Sequence, residues 1–344
     1  MRVLLLCLPV LLLASCRSEQ KEPKEETVYK QTIFDKLSKD DLLEFELTAN
    51  FDSLIFYKED EEYYPATFKF KDESDSLIIK KINVRTRGET RKNICELPPL
   101  RLKFSKPLLK KYNLAKYKTL KLVTPCNDRP GFEDLITKEL LCYQMYQELT
   151  GQSFRVQPAR VRIKQKESDE SSSMKTAFLI EHDKEMAKRL GGKLLNKSIM
   201  KIKSIDVKSY NLLVLFQYMI GNTDWNLSKR HNIKLVQMKG NSAPVPVPYD
   251  FDYSGLVNAK YAIPHPSLPI RNIRERLFQW RGKDVEMLKE PIARLLKKKE
   301  VLLSLIGNCQ LENKEDKTLM MNYVKSFFEI IESEDGMDVL TRKL

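Results

Sequence analysis

Segments with the pattern of β-strands fill the first half of this 344-residue chain, and segments with helical periodicity fill the second. The strand-like runs end at residue 180, and the chain turns helical from Asp183 onward. Strands that precede helices in this way are typical of an α+β protein, in which the two kinds of element build separate regions. We therefore expect a strand-rich N-terminal lobe, a helical C-terminal lobe and a ligand-binding cleft between them.

The individual elements are predicted from periodicity and from the polar segments that separate them. Strands are expected at residues 43–57, 67–70, 77–84, 100–104, 119–123, 160–164 and 176–180. Helices are expected at residues 131–149, 184–190, 206–220, 273–280, 285–298 and 317–331. One long helix, 131–149, thus lies within the strand-rich half.

Two loops that carry carboxylates follow the apolar run 210–220. Asp224 lies in Gly-Asn-Thr-Asp-Trp-Asn, and Asp250 and Asp252 follow on the far side of a hairpin-like segment. A hairpin can bring two such loops to one point. Phosphoryl transfer needs this combination, because one Asp orients the attacking hydroxyl while another holds the Mg²⁺ that neutralises the transferred phosphate. For any single Asp of this kind, a turn or a helix cap is the alternative interpretation.

Three segments farther upstream extend the pattern. The Arg87-Gly88 turn follows a strand-like run, and the segment 100–104 alternates apolar and basic side chains. Alternation in a strand places Lys103 on the polar face. A further strand ends at Glu181, where the polar residues that follow are suited to cap a helix.

Together, these five segments resemble the CotH family of atypical protein kinases and, more distantly, the HipA-type and secretory-pathway kinases. The resemblance covers roughly residues 80–285. It implies a two-lobed kinase-like fold that uses ATP and Mg²⁺ (or Mn²⁺) to phosphorylate a Ser or Thr hydroxyl of a protein. Two alternatives remain open: an inactive member that serves as a binding or structural module, and an enzyme that transfers another part of the nucleotide, such as AMP.

The resemblance also implies roles for individual residues. Asp224 would act as the catalytic base, and Asp250 would ligate the metal, with Asp252 as a candidate second ligand. Lys103 would contact the nucleotide phosphates.

Further site residues follow from the same resemblance. Gly88 would let the backbone approach a phosphate, and Arg87 and Glu181 would lie at the nucleotide. Asn232 would bind a second metal, but it lies eight residues after Asp224, whereas kinases usually have about five there. Asn226 is therefore an equal alternative.

One residue is singled out by helical periodicity alone. Glu139 falls on the apolar face of helix 131–149, between Ile136 and Tyr143. Because burying an unpaired carboxylate is costly, we expect a cationic partner. The resemblance to kinases implies a lysine on a neighbouring strand, for which Lys103 is the obvious candidate. Alternatively, Glu139 lies at the edge of the apolar stripe and reaches water.

The N-terminus resembles a bacterial lipoprotein signal. Met1-Arg2 precedes an apolar run that ends in Leu-Ala-Ser-Cys, so Cys16 would be lipidated and become the first mature residue. The run is too short to span a bilayer. An ordinary cleaved signal is the alternative. We expect a lipid-anchored protein of the bacterial cell envelope, in the outer membrane since Arg17 is not an Asp.

We therefore expect the chain to consist of four parts. Residues 1–15 form the signal peptide, 16–40 the lipidated N-terminus and a flexible tether, 41–182 the N-terminal lobe with its long helix, and 183–344 the helical lobe with the catalytic loops.

A formal charge of +13 favours anionic partners, namely a nucleotide, an acidic protein substrate or lipid headgroups. No motif for nucleic-acid binding is recognised, so we expect no nucleic acid among the partners. Only three histidines occur, which argues against a histidine-rich metal site, and His231 is interpreted as a structural loop residue. The spacings of Cys95, Cys126, Cys142 and Cys309 do not predict a disulfide framework, and Cys142 is expected in a helix core.

Overall fold

A computed structural model describes residues 30–71, 77–168, 172–196 and 204–341. The predicted signal peptide, Cys16 and the tether as far as residue 29 lie outside these ranges. Residues Gln31–Leu344 cluster as one compact unit of mixed α+β structure. No helix in the described ranges is long and apolar enough to cross a membrane.

The N-terminal half is built around a closed barrel of seven strands in the order β1-β2-β3-β4-β5-β7-β6. Neighbouring strands are antiparallel except β1 and β6, whose parallel pairing closes the barrel. This closure was not foreseen from the sequence, and it differs from a typical kinase N-terminal lobe. The strands are β1 (Leu43–Ala49), β2 (Tyr64–Lys71), β3 (Leu77–Thr86), β4 (Leu100–Lys103), β5 (Thr119–Val123), β6 (Val156–Gln165) and β7 (Met174–Ile180).

Alternate side chains of each strand point into the barrel, because successive residues of a strand face opposite ways. Leu47, Phe68, Leu102 and Leu120 are fully buried there in one apolar cluster. The intervening residues of β4, Arg101 and Lys103, are basic and only partly buried, so the sequence alternation at 100–104 is confirmed.

The folded region begins earlier than the sequence suggested. Helix α1 (Ile33–Leu37) starts at a capping box on Thr32 and buries Ile33, Phe34 and Leu37 against the barrel. The tether was expected to run to residue 40, but burial of these three apolar side chains holds its last ten residues in the fold.

The predicted strand 43–57 is wrong in its second half. Its chain leaves β1 at Ala49 and enters helix α2 (Phe51–Phe56), because the Asn50 side chain accepts a hydrogen bond from the Ser53 amide. Cap chemistry therefore overrides the apolar character of this segment.

Four further helices precede the three-stranded sheet of the C-terminal half. Helix α5 coincides almost completely with the prediction 131–149, and Cys142 on it is buried as expected. The buried side chains of α5 join the core of the C-terminal half rather than the barrel interior. The four helices are α3 (Thr90–Ile94), α4 (Lys106–Lys111), α5 (Phe132–Leu149) and α6 (Asp183–Arg189).

The C-terminal half packs helices against a three-stranded sheet in the order β10-β9-β8. Helices α8 and α9 confirm the last two helical predictions, although a 3₁₀ turn at Val285–Leu288 precedes α8. The elements are β8 (Gly192–Leu195), α7 (Val207–Ile220), β9 (Ile233–Met238), β10 (Val245–Pro248), α8 (Lys289–Asn308), α9 (Lys314–Glu332) and α10 (Gly336–Thr341).

The predicted helix 273–280 does not form. Its polar side chains bind distant groups instead: Arg276 donates to the Met219 and Tyr323 carbonyl oxygens, and the Trp280 indole donates to Asn211. The apolar residues that suggested a helix are buried by these tertiary contacts. The segment thus packs as irregular chain against α7 and α9.

Candidate active site

The two carboxylate loops meet as predicted, on either side of the β9–β10 hairpin. Gly221 ends α7 in the left-handed region, with φ of 64°, and an added Cβ would lie 2.0 Å from the Tyr323 hydroxyl. The Gly255 amide donates to the Gly221 carbonyl oxygen at 3.0 Å, and Asn222 pairs with Ser254 across the two loops. These bonds join the loop of Asp224 to that of Asp250.

The carboxylate of Asp224 is held from two sides. Asn232 Nδ2 donates to Asp224 Oδ2 at 3.0 Å and to its carbonyl oxygen at 2.8 Å. His231 Nε2 lies 2.9 Å from Asp224 Oδ1. This hydrogen bond raises the pKa of His231, with a further contribution from the charges of Asp224 and Asp250. His231 therefore contacts the predicted base, which its position beside Asn232 did not disclose.

A short turn explains the long spacing between Asp224 and Asn232. Asn226 and His231 exchange backbone hydrogen bonds of 3.0 and 2.9 Å, and Asn226 Oδ1 accepts from the Lys229 amide. The extra residues fold into this turn and return Asn232 to Asp224. The Asn226 side chain is used within its own turn, so Asn232 is the asparagine at the site.

Asp250 occupies a strained position. Its φ of 65° lies in the left-handed region, which Asp and Asn adopt more readily than most residues. Its amide donates to the Tyr143 hydroxyl of α5 at 2.9 Å. The next residue, Phe251, is buried against Tyr143 and Phe216. Phe251 thus anchors the loop, and its two neighbours in sequence, Asp250 and Asp252, bring their carboxylates to the site.

A buried acidic group extends from this loop to α5. Asp252 and Glu139 are 6% and 1% exposed, and both have a raised pKa, that of Glu139 in part because of the charge of Asp252. Burial is the largest cause of the raised pKa of both residues. For Asp252, burial and then the charge of Asp250 raise the pKa to about 7. The alternative that Glu139 reaches water is therefore wrong.

The partner of Glu139 is Arg91 of α3, not the predicted Lys103. Arg91 Nη1 lies 3.5 Å from Glu139 Oε2, and Arg91 is itself 7% exposed. Lys103 instead lies over the ring of Tyr63, 4.2 Å from its centroid. The sheet order explains this difference: α5 packs against β7 and β6, and β5 lies between β7 and β4, the strand that carries Lys103.

The donor set has the chemistry of a divalent-cation site. Asp250, Asp252 and Glu139 contribute carboxylates, and Glu139 Oε2 is buried without a hydrogen-bond partner among the described residues. Carboxylate and amide oxygens are what Mg²⁺ prefers, and a cation there would offset the excess of buried negative charge. These three carboxylates are not placed as a complete site, since the described part of the chain holds no group of three or more His, Cys, Asp or Glu that could bind a metal ion.

A lysine that the sequence did not single out lies beside Tyr249, the residue that precedes Asp250. Lys121 of β5 is 7% exposed, pairs with Asp183 Oδ1 at 2.6 Å and lies 4.8 Å from the centroid of the Tyr249 ring. Lys234 approaches both of these partners as well, at 3.3 Å from Asp183 Oδ2 and 4.8 Å from Tyr249. Burial lowers the pKa of Lys121, and Asp183 partly offsets this. Alternation of apolar and polar residues along β5 was the available signal for Lys121.

The remaining predicted residues lie around this centre. Gly88 has φ of 91° and open space where a Cβ would lie, so its backbone conformation, not a close contact, requires glycine. The neighbouring Arg87 acts electrostatically on Glu139 and Lys121.

The Glu181 side chain has a different set of partners from the one expected. It is fully buried, and its oxygens bind Arg155 at 2.7 and 3.0 Å and Arg189 at 2.6 and 3.2 Å. The Glu181 carboxylate is therefore occupied by this ionic network and does not face a nucleotide site. His182 caps α6, as the polar residues after β7 suggested.

No family model matches this chain, and no curated protein matches it. Among solved structures, it is similar to the crystal structure of a proinflammatory kinase of Helicobacter pylori, CtkA. The two are 9% identical, with a TM-score of 0.40, over 72% of this chain and 95% of that one. A likeness at this level carries no functional argument, which therefore rests on the residues of the site.

Proposed function

We propose that this protein is an atypical kinase of the CotH type, which transfers the γ-phosphate of ATP to a Ser or Thr hydroxyl of a protein. The observation that carries the proposal is the meeting of three elements at one place. These are the doubly held carboxylate of Asp224, the loop with Asp250 and Asp252, and the buried Glu139 of α5. Such an arrangement has no structural need in a scaffold, since buried like charges are costly.

Asp224 is the group that accepts the proton. As the substrate oxygen forms its bond to phosphorus and the bond to the leaving ADP breaks, the hydroxyl proton passes to the Asp224 carboxylate. Asn232 and His231 each hold one oxygen of that carboxylate, which fixes its direction before substrate arrives.

Asp250 and Asp252 are the residues that would hold a divalent cation, with Oδ1 of Asn232 as a further donor. A bound Mg²⁺ supplies neutralisation of charge on the transferred phosphate. Asp252 in particular gains from such an ion, because its pKa of about 7 reflects burial and the neighbouring charge of Asp250.

Lys121 is the best candidate for a phosphate contact. It lies on the strand that precedes α5, where kinases place the lysine that pairs with nucleotide phosphates, and its ammonium faces Tyr249 beside Asp250. Lys103, on the next strand, remains a second candidate. Arg87 and Gly88 would cover the phosphates from the turn between β3 and α3.

The proposed location is the bacterial cell envelope, with the protein tethered to the outer membrane through a lipid on Cys16. One observation within the fold supports an extracytoplasmic setting. Cys95 and Cys126 form a disulfide, with Cα atoms 4.5 Å apart, and disulfides persist mainly in oxidising compartments.

The decisive experiment is incubation of the purified protein with Mg²⁺ and ATP labelled on the γ-phosphate, then on the adenine. Mass spectrometry of the protein and of added candidate substrates identifies the group transferred. Transfer of γ-label alone supports the kinase proposal, whereas transfer of adenine label supports AMP transfer. MgATP binding without any transfer would favour a binding module.

A further inference from the structure

The disulfide lies next to the helix that carries Arg91, and no step of the proposed phosphoryl transfer uses either of them. Helix α3 begins two residues after Gly88 and ends at Cys95, so it joins the glycine turn directly to the disulfide. Cys126 lies in the segment between β5 and α5. The disulfide therefore ties the turn that would cover the phosphates to the approach of the helix that carries Glu139.

Hydrogen bonds surround this covalent link. The amides of Glu96 and Leu97 both donate to the Cys126 carbonyl oxygen, at 2.9 and 3.3 Å. Arg91 Nη2 donates to the carbonyl oxygen of Thr124 at 2.6 Å, two residues before the disulfide. The segment 124–126 thus holds both the Arg91 side chain and the chain that follows α3.

Arg91 is the cation that this arrangement presents to the site. Tyr261 and the carboxylates of Glu139, Asp252 and Asp250 all lie close enough to act on its charge. Its contact with Glu139 is loose, at 3.5 Å, and neither Arg91 Nε nor Glu139 Oε2 has a hydrogen-bond partner in the described ranges. A pair with so little hydrogen bonding depends on its surroundings to stay together.

We propose that Arg91 is a positioning residue of the active site, and that the Cys95–Cys126 disulfide holds it against Glu139 so that the Arg87-Gly88 turn is fixed over the metal-binding loop. The inference rests on the proposed function, because it assigns the turn to the nucleotide phosphates. It adds that the nucleotide site assembles fully only in the oxidised protein.

The test is a double-mutant cycle between the disulfide and Arg91. The variants are Cys95→Ala with Cys126→Ala, Arg91→Met, and all three together, with Cys309→Ser and Arg294→Met as controls because Cys309 is a free thiol and Arg294 is exposed. Two quantities are measured for each: the free energy of unfolding in urea and the affinity for MgATP by calorimetry. Residues that act through one another give non-additive changes, whereas independent ones give additive changes.

We expect the disulfide variant and Arg91→Met each to weaken MgATP binding by about tenfold. The triple variant should be no weaker than either, and the two changes should also be non-additive in unfolding free energy. Additive effects in unfolding would overturn the link, whether or not the protein binds nucleotide. Unchanged MgATP affinity in stable variants would overturn the positioning role. If wild type itself binds no MgATP, the proposed function and the positioning role fail together.

Arg91→Met leaves Glu139 buried without its cation, so this variant could unfold. The same cycle is then run in the Glu139→Gln background, where the buried charge is absent. A disulfide effect on MgATP affinity that persists at full size in Arg91→Met, Glu139→Gln would show that the disulfide does not act through Arg91.

Discussion

The amide nitrogen of Asn232 donates to both the carbonyl oxygen and Oδ2 of Asp224, at 2.8 and 3.0 Å, across a gap of eight residues. One side chain therefore fixes the backbone and the carboxylate of the proposed base together. It also leaves Asn232 Oδ1 as an acceptor, so that positioning of the base and a contact to a metal can come from one amide group.

Asp224→Asn should separate binding from transfer. The substitution keeps the shape of the side chain but removes the proton acceptor, and loss of a general base typically costs about 10²- to 10⁴-fold in rate. The rise in melting temperature caused by MgATP should remain, since nucleotide binding uses other residues. Calorimetric scans and transfer assays measure both, with the exposed Asp335→Asn as control. Transfer at the wild-type rate would refute Asp224 as the base.

Asp250→Asn should abolish most of the stabilisation that Mg²⁺ adds to ATP binding. Asn tolerates the left-handed φ of 65° at this position, whereas Ala would add backbone strain to the loss of charge. The substitution thereby replaces the charged carboxylate by a neutral amide, which is a weaker ligand for Mg²⁺, without disturbing the loop. Thermal shifts with ATP alone and with MgATP provide the measurement. A full Mg²⁺-dependent shift in the variant would show that Asp250 does not hold the metal.

Lys121→Met and Lys103→Met should differ in their effect on nucleotide binding. We expect Lys121→Met to weaken MgATP affinity by about tenfold or more, because a buried ammonium beside the cleft is lost. Lys234 remains to pair with Asp183, which keeps that carboxylate from being stranded. Lys103→Met should have the smaller effect, since this side chain lies against Tyr63. The reverse order would restore Lys103 as the phosphate contact.

Stability should fall as the pH rises through neutrality because of Glu185. Burial raises the pKa of Glu185 to about 7, with the charge of Glu181 adding to the effect and Thr32 and Arg155 opposing it. A carboxyl whose pKa is raised by folding contributes stability below its unfolded pKa, and this contribution is lost as the pH rises through the folded value. Glu185→Gln should therefore flatten the difference in unfolding free energy between pH 5 and pH 8. Parallel profiles for the two proteins would contradict the assignment.

Cys16→Ala should change where the protein is found. If Cys16 carries a lipid, wild type partitions with membranes, and the variant accumulates as an unprocessed or soluble form. Fractionation followed by mass spectrometry of the N-terminal peptide measures both. Equal partitioning of the two proteins would remove the lipid anchor from the proposal.

The sequence predicted well the elements whose patterns are local. Helix α5 was predicted within one residue at its start, and the meeting of the Asp224 and Asp250 loops followed from the hairpin between them. It failed where distant contacts decide the outcome. Arg276 and Trp280 donate hydrogen bonds to groups of α7 and α9, and no local sequence pattern reveals these partners.

The partners within the site belong to this second class. Glu139 was expected to have a cation, but Arg91 comes from a five-residue helix whose position depends on a disulfide across 31 residues. Lys121 and Lys103 both alternate outward from neighbouring strands, so sequence alone does not separate them. Their order in the barrel decides which one lies nearer to α5.

Closure of the barrel by β1 and β6 limits how a polypeptide substrate can be recognised. Strand addition needs an unpaired edge, and a closed barrel offers none. Within the described ranges, the other sheet has edges at β8 and β10, and two of the four residues of β10 are prolines without an amide hydrogen. An extended peptide that binds by main-chain pairing would therefore align along Gly192–Leu195. Away from β8, recognition of a protein substrate would have to rely on contacts between side chains.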